Sequence, residues 1–504
     1  MLPGTESSYW MSTTPVPAYP PLASDVEVDV VVIGAGIAGL CTAWEAARRG
    51  KTVAVVEAGR IAASVTGHTT AKLSALHTLL YSSITDGAGP EAAALYARSQ
   101  QRAVERVAEV AATLRVDCEL ETVPGFTYVE SADRLDDVRK EAEAAASAGL
   151  AASFVTTTEL PYPVAGAVRV ENQAQFHPRK YLLALAEDLV ALGGLIFEGT
   201  RAVDLDEGEP CRLTTEEGAV VTARDVVITT HYPVFDRALL FTRLEATRDL
   251  VVAGPIPAED DPRGTYITPE GASRSVRTAP QDDGTRLLIV TGEHFTPGSG
   301  GVTERFERLA GWARERFPRV ELTYRWATQD ITTTDQIPFV GAFHPGARHV
   351  YVATGFGGWG MSNGVMAGEL LASTIAGEDL PWRELYDPRR LHARDAGPMA
   401  KLQGKVAKHF VGGRIGSGPD LADLAPGSGA VLKVEGDRRA VFRDEAGQLH
   451  AVSATCTHLG CVVDFNDAER AWECPCHGSR FAIDGSVLQG PANKPLERVD
   501  LAEG

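Results

Sequence analysis

Four cysteines and two histidines crowd into two short loops near the C-terminus, Cys456-Thr457-His458-Leu459-Gly460-Cys461 and Cys474-Pro475-Cys476-His477-Gly478-Ser479. Each loop offers a thiol and an imidazole two or three residues apart, so two facing loops would bring one Cys and one His each to a single centre. The chain has seven cysteines. Cys41, Cys118 and Cys211 are scattered and read as ordinary buried or surface thiols. The crowding of the other four is a metal signature rather than a secreted disulfide framework. Such ligands suit either a mixed Cys/His zinc site or an iron–sulfur centre with imidazole ligation.

A second stretch able to do chemistry is Val28 to Glu57. An apolar run ends in Gly34-Ala35-Gly36-Ile37-Ala38-Gly39, an Ala-rich amphipathic segment follows, and a second apolar run ends at Glu57. Strand, glycine turn, helix, strand, acid is the pattern of a dinucleotide site. Gly34 permits the tight turn. Gly36 lets the backbone approach a pyrophosphate at the helix N-terminus, and Gly39 lets the helix pack on the strand. Glu57, 18 residues after Gly39, is placed to accept hydrogen bonds from a ribose.

A third glycine-rich junction, Thr354-Gly355-Phe356-Gly357-Gly358-Trp359-Gly360-Met361, follows the apolar strand His349–Ala353 and precedes a helix expected over Val365–Ile375. One glycine loop serves a nicotinamide dinucleotide, whereas a flavin also needs its isoalloxazine end held. The N–H groups and dipole of this second helix would stabilise negative charge on a reduced flavin ring.

Other elements must position these loops. Residues 58–77, rich in Ser, Thr and Gly, read as a loop over a ligand. Helices are expected over 88–115, 132–149, from Pro178 to Leu192 and over Val302–Phe317. Strands are expected at Leu195–Glu198, Arg201–Asp206 and Asp225–Thr230, with short antiparallel strands through 236–300. Residues 1–25 read as an extended Pro-rich arm and 391–425 as a linker.

The fingerprint, VTGHTTAKL, FHPRKYL, ATQDITTTDQIPFVG and ATGFGGWGMSNGVMAGELLA together resemble the FAD-dependent D-amino acid oxidase/glycine oxidase superfamily over about residues 26–385. The resemblance implies a Rossmann-like α/β FAD domain in separated pieces (26–105, 165–235 and 335–390). It also implies an inserted α+β substrate domain on a mixed or antiparallel sheet (106–164 and 236–334), and oxidation of a C–N bond by hydride transfer to flavin. It assigns cofactor contacts to Gly34, Gly36, Ile37, Ala38, Gly39, Glu57, Ala58, Thr66, His68, Thr69, Thr70, Ala71, the backbone at Ala202, Gly355, Gly358, Trp359, Gly360 and Met361. His68 falls where some relatives attach FAD covalently; a covalent bond and a polar contact are both open. Trp359, His68 and His294 are candidates for catalysis. Glycine-oxidase-like members carry an arginine for the substrate carboxylate where this chain has Gly358. Arg274, Arg277 and Arg325 are possible substitutes, and an amine is at least as suitable a substrate as an amino acid.

The C-terminal loops resemble those of high-potential Rieske proteins over about residues 420–500. That resemblance implies an all-β domain (426–504) with a [2Fe–2S] cluster on Cys456, His458, Cys474 and His477. It also implies a Cys461–Cys476 disulfide clamping the loops, a covering third loop at Gly490-Pro491-Ala492, and histidines at the cluster's exposed edge where electrons leave. Reduced flavin would feed the cluster one electron at a time. A flavin–Rieske relay or sensor docking to a partner, and a tailoring enzyme acting on a larger amine natural product, are the other function classes. The net charge of −19 argues against nucleic acid and anionic membrane surfaces. No apolar run reaches the roughly 20 residues of a membrane span, and residues 1–25 lack the features of a secretory signal. A cytoplasmic protein with a small amine or amino acid substrate and a separate electron acceptor is expected.

Overall fold

The apolar run Val26–Ile33 becomes a central strand of a mainly parallel sheet, and Val30, Val31 and Val32 are fully buried. Burial on both faces is why the run is continuous rather than alternating. The strand order is Phe339–Ala342, Val350–Thr354, Val220–Ile228, Val26–Ile33, Val53–Val56, Leu195–Phe197. Only the first pairing in that order is antiparallel. The computed structural model describes residues 2–15, 17–271, 273–391, 395–415, 420–434 and 436–501.

The helix Ile37–Arg48 crosses between Val26–Ile33 and Val53–Val56 and packs on the helix Gly360–Ala376. The latter helix begins five residues before the expected Val365. Gly364 and Gly368 are inside it, because a Cβ on either would press into Ile37 or Cys41. These two glycines serve helix–helix contact rather than a loop.

A second sheet of ten strands lies beside the first. Its backbone is the antiparallel set Tyr324–Thr333, Leu244–Ile256, Arg286–Phe295 and Arg274–Pro280, continued by Thr265–Thr268, Glu121–Val129, Gly166–Gln175 and Lys72–Leu73. Gly166–Gln175 pairs here with Glu121–Val129, although 165–235 was expected to belong wholly to the cofactor domain. The long helix Pro90–Leu114 likewise runs through the expected boundary at 105/106. Residues 1–25 are not simply an extended arm. Thr5–Glu6 adds an edge strand to the ten-stranded sheet, and the helix Tyr9–Thr13 buries Trp10, whose indole N–H donates to Thr69 O at 2.7 Å.

The segment 391–425 also departs from a plain linker, since Ala396–Ile415 is a helix of 20 residues. Its glycines made the composition look loop-like, but three Ala and three Lys lie between them and Pro398 lies in the first turn, where proline is tolerated. Gln403 donates to Thr242 O at 3.1 Å and Lys405 pairs with Glu245 at 2.6 Å. The C-terminal domain is all-β, with a sheet of Ser428–Val434, Asp437–Arg443 and Leu449–Ser453 and a sheet of Asp464–Asn466, Ala471–Glu473, Arg480–Phe481 and Val487–Gln489.

That domain is docked through charge. Arg248, 1% exposed, is hydrogen-bonded to Glu469 and to the fully buried Glu473. Arg480 pairs with the same two carboxylates at 2.9 and 3.1 Å, and Glu473 also accepts from Gly298 N at 3.0 Å. Asp467 accepts from Val302 N and Thr303 N at 2.8 and 3.1 Å, capping the helix Val302–Arg316 from the other domain. Removing one partner of a buried ion pair strands the other charge and costs about 3–5 kcal/mol. Glu473→Ala is therefore expected to lower the melting temperature and expose the 391–425 segment to limited proteolysis. Glu259→Ala, on an exposed pair with Arg319, is expected to change neither.

Candidate functional site

The first glycine turn is tight because Gly34 has φ +97° and its carbonyl accepts the Thr229 hydroxyl at 3.0 Å. A Cβ at Gly39 would run into Gly34 O, so the helix can approach the strand only with glycine there. Thr66 Oγ1 accepts from Ile37 N at 3.1 Å and stands 3.1 Å from where a Cβ at Gly36 would be. Glu57 spans the turn, accepting from Ala35 N and Gly59 N, each at 2.8 Å. Burial pushes its carboxyl up, and those two amides hold it partly down.

These residues open into a cavity of about 790 Å³. Gly34, Gly36, Ile37, Ala38, Glu57, Ala58, Thr66, His68, Thr69, Thr70, Ala202, Gly355, Gly358, Trp359, Gly360, Met361 and His294 all line it. Two residues expected among them do not. Gly39 faces the strand, and Ala71 is buried beside Trp10 with its carbonyl bound by Arg277. The turn Thr66–His68 aims His68 at the cavity; its Nδ1 meets Ser64 O at 2.5 Å, and burial lowers its pKa. Trp359, 9% exposed, stacks on His77 with ring centroids 4.5 Å apart. The cradle fits a flavin dinucleotide: glycines line the phosphate turn, a carboxylate stands at the ribose distance, and a second glycine-opened helix faces the same space.

The wall opposite comes from the ten-stranded sheet. In the pairing of Leu244–Ile256 with Tyr324–Thr333, Thr247 opposes Asp330 and Asp249 opposes Thr328. Strand alternation turns these four to one face, and all line the cavity. Ala246, Arg248 and Gln329 take the other face, where Gln329 donates to Gly478 O at 3.0 Å. Asp330 Oδ1 accepts from Ile331 N at 2.8 Å; burial, with Asp249 nearby, pushes its carboxyl up to about 7. His294 lies 3.2 Å from Asp249, a contact that raises its pKa. Lys72 donates to Thr70 Oγ1 and Ser275 Oγ at 2.6 and 2.8 Å, and burial brings its ammonium down to about 7. Lys72 and Asp330 lie inside two of the stretches that carry the family resemblance but were not singled out there, and Asp249 lies in none of them.

The three arginines considered for a substrate carboxylate are engaged elsewhere. Arg274 pairs with Glu293 at 2.6 Å. Arg277, fully buried, donates to the carbonyls of Thr70, Ala71 and Thr278. Arg325 binds Gly4 O at 2.6 Å and Glu6 at 3.0 Å.

In the C-terminal domain the two loops converge. Cys456 and Cys474 are free, buried thiols, and their mutual hydrogen bond pulls Cys456 down to about 6 while raising Cys474. The His458 and His477 rings lie 5.0 Å apart, and buried nitrogens on each, Nδ1 of His458 and Nε2 of His477, have no hydrogen-bond partner. Cys461 and Cys476 are joined by a disulfide. The sulfurs of Cys461, Cys474 and Cys476 cluster within 4.8 Å, but the disulfide removes two of these three as ligands. Two thiols and two orphaned imidazoles are the donor set of a Rieske cluster. The third loop ties in through Ala492 N to Ser479 Oγ at 3.0 Å and Thr457 Oγ1 to Lys494 O at 2.6 Å.

One expectation is overturned. The histidines do not form an exposed edge. His477 is 3% exposed, and the pair faces the flavoprotein part of the chain. Tyr232 lies 6.2 and 5.8 Å from the His458 and His477 rings, Phe241 lies 5.7 Å from His477, and Asp236 contacts His458 Nε2 at 3.3 Å. Tyr232 follows His231, which lines the cavity and is lowered to about 4 by burial. Glu469, Arg480, Gly490 and Ala492 line the cavity from the C-terminal side.

Cys474→Ala is expected to abolish the iron and the EPR signal of the reduced cluster. Cys461→Ala is expected to retain iron at purification but lose it faster on dilution. A disulfide closing a loop of this size contributes about 3 kcal/mol against the opened state. Iron content and EPR after timed incubation distinguish the two variants.

Comparison with known proteins matches residues 29–374 to the family described as FAD dependent oxidoreductase and residues 419–500 to the Rieske [2Fe-2S] domain. A Bacillus subtilis (strain 168) protein named as a Rieske 2Fe-2S iron-sulfur protein, YhfW, is 34% identical over 98% of this chain and 97% of its own. The iron-sulfur subunit 1 of the Synechocystis cytochrome b6-f complex is 40% identical over 20% of this chain and 57% of its own. Among solved structures, glycine oxidase from Geobacillus kaustophilus aligns with TM-score 0.58 at 20% identity, covering 73% of this chain and all of its own. L-proline dehydrogenase from P. horikoshii aligns with TM-score 0.60 at 18% identity, covering 73% and 98%. No helix among the described residues is long and apolar enough to cross a membrane. The chain therefore belongs to the FAD dependent oxidoreductase family and carries a C-terminal Rieske domain, with FAD and a [2Fe-2S] cluster as its cofactors.

Proposed function

We propose that the protein oxidises a C–N bond of a small amino compound to an imine and passes the electrons to its own Rieske centre. FAD bound in the cavity would accept the hydride equivalent leaving the carbon beside nitrogen, and a [2Fe–2S] cluster takes electrons singly. One juxtaposition carries the reading: His231 lines the cavity, and the next residue, Tyr232, packs against both histidines of the converged loops. The names of the structural neighbours, glycine oxidase and L-proline dehydrogenase, support a C–N substrate.

The residues divide the work. Gly34, Gly36 and Glu57 bind and orient the dinucleotide end, and the helix opening at Gly360 directs its N–H groups to the ring end. The ten-stranded sheet closes the substrate side and excludes bulk water. Tyr232 and Phe241 keep the histidine rings in apolar contact with the flavin domain, which shortens the path for an electron. Cytoplasmic location, a separate terminal acceptor and a choice between catabolic and tailoring roles belong to the same proposal.

The test uses full-length Cys474→Ala that retains FAD. A reducing substrate should still bleach the flavin in a single anaerobic turnover, because that step needs no cluster. Steady-state turnover with a one-electron acceptor should fall at least tenfold. Unchanged turnover would rule out the series arrangement. A flavin that NAD(P)H reduces but no amine or amino acid reduces would rule out the C–N chemistry.

A further inference from the structure

We propose that the substrate is a cationic amine without a carboxylate on its reacting carbon, and that Asp330 and Asp249 hold its ammonium group. The proposal rests on the C–N reading above and narrows it. The first observation is charge in the sheet wall. Asp249 and Asp330 share one face with Thr247 and Thr328, and Ser275 and Thr291 add hydroxyls from the neighbouring strands. This is a wall of hydrogen-bond acceptors.

The second observation is what these carboxylates lack. Among the described residues no arginine or lysine forms an ion pair with Asp330; it takes the amides of Ile331 and Gly358, and its nearest cationic group is His294. Asp249 has the same His294, 3.2 Å away on a half-exposed ring, with the buried Lys72 farther off. A carboxylate this enclosed normally has a compensating charge. Here two carboxylates share one half-exposed imidazole, and burial and the neighbouring Asp249 raise Asp330. A bound ammonium supplies the missing charge.

The third observation is that the nearby cations are committed. Arg248 and Arg480 also line the cavity, at its C-terminal edge, but each is paired with both Glu469 and Glu473. Arg274, Arg277 and Arg325 are held by a carboxylate or by carbonyls, as described above. Lys72, bound to two hydroxyls, loses its charge near neutrality. At Gly358 no side chain intervenes: a Cβ there would lie 3.6 Å from Asp330 Oδ2. The wall is thus built for a cation and offers a substrate carboxylate no fork of donors.

The same placement gives Asp330 a task in the reaction. An ammonium has no lone pair with which to form C=N. Asp330 takes one N–H proton, which leaves the carboxylic acid and a neutral amine. The C–H bond beside nitrogen then breaks, its electron pair going to FAD while the nitrogen lone pair forms the C=N bond. Water hydrolyses the imine to a carbonyl compound and the free amine or ammonia, and Asp330 returns its proton to solvent.

The experiment uses the holoenzyme with FAD and cluster, under anaerobic conditions at constant ionic strength. Tetramethylammonium, which has no lone pair to oxidise, and acetate are titrated while the flavin spectrum is followed. n-Butylamine and norvaline, which differ by the carboxylate, are compared as reductants. Tetramethylammonium is expected to perturb the flavin and acetate to leave it unchanged. Asp330→Asn is expected to weaken the cation at least tenfold, and n-butylamine to bleach the flavin faster than norvaline. Asp249→Asn, with the same expected weakening, serves if Asp330→Asn does not hold FAD. Acetate binding with tetramethylammonium silent, faster reduction by norvaline, or cation affinity unchanged in both variants would overturn the cation site while leaving the C–N chemistry standing. A flavin reduced by NAD(P)H alone would remove both.

Discussion

Two arginines and two glutamates meet in the seam between the flavoprotein and the C-terminal domain, and much of the site geometry follows from that meeting. Buried charges are tolerated only when paired and hydrogen-bonded. Arg248, Glu469, Glu473 and Arg480 sum to zero, and Asn466 and the amide of Gly298 take up further carboxylate lone pairs. The arrangement tolerates little sliding, because each guanidinium is shared between both carboxylates. Register between the domains is therefore set by directional bonds, which apolar contact alone does not supply.

The strand Leu244–Ile256 links this seam to the chemistry. Arg248 points to the C-terminal domain and its neighbour Asp249 points to the cavity, as strand alternation requires. Paired beside it, Gln329 and Asp330 divide in the same way. A shift of this strand by one residue would exchange the faces of Arg248 and Asp249, breaking the ion-pair network and turning the carboxylate out of the cavity wall. The cavity wall and the docking of the C-terminal domain are thus tied to one register.

Local patterns were the most legible part of the sequence. The glycine turn at Gly34–Gly39, the acid at Glu57 and the two Cys/His loops depend on spacings of a few residues, so the backbone can be inferred from residue type. The helices Pro90–Leu114 and Pro178–Ala191 were legible from periodicity. What required the fold was long-range. Asp330 sits inside a segment rich in Thr and Asp, and only pairing with Leu244–Ile256 sets it beside Asp249. Ala71 lay in the correct loop, yet the packing of Trp10 turned it from the cavity. Tyr232 had no motif at all, and its role arises because two loops more than 200 residues downstream fold onto it.

The helix Ala396–Ile415 decides how the redox domains relate in time. A flexible segment of that length would let the C-terminal domain swing between the flavin and a distant partner. A helix of 20 residues is instead a strut of roughly 30 Å, and Gln403 and Lys405 fasten it to Thr242 and Glu245 at the foot of the docking strand. Releasing the domain would require breaking those contacts together with the buried Arg–Glu network and the Asp467 cap. Motion on that scale is therefore costly. The buried histidine edge agrees with this. In a swinging carrier that edge must be offered to a partner, whereas here Tyr232, Phe241 and Asp236 cover it. The C-terminal domain is thus held against the flavoprotein part by the helix, the ion-pair network and the Asp467 cap together, with its histidine edge covered from within the chain.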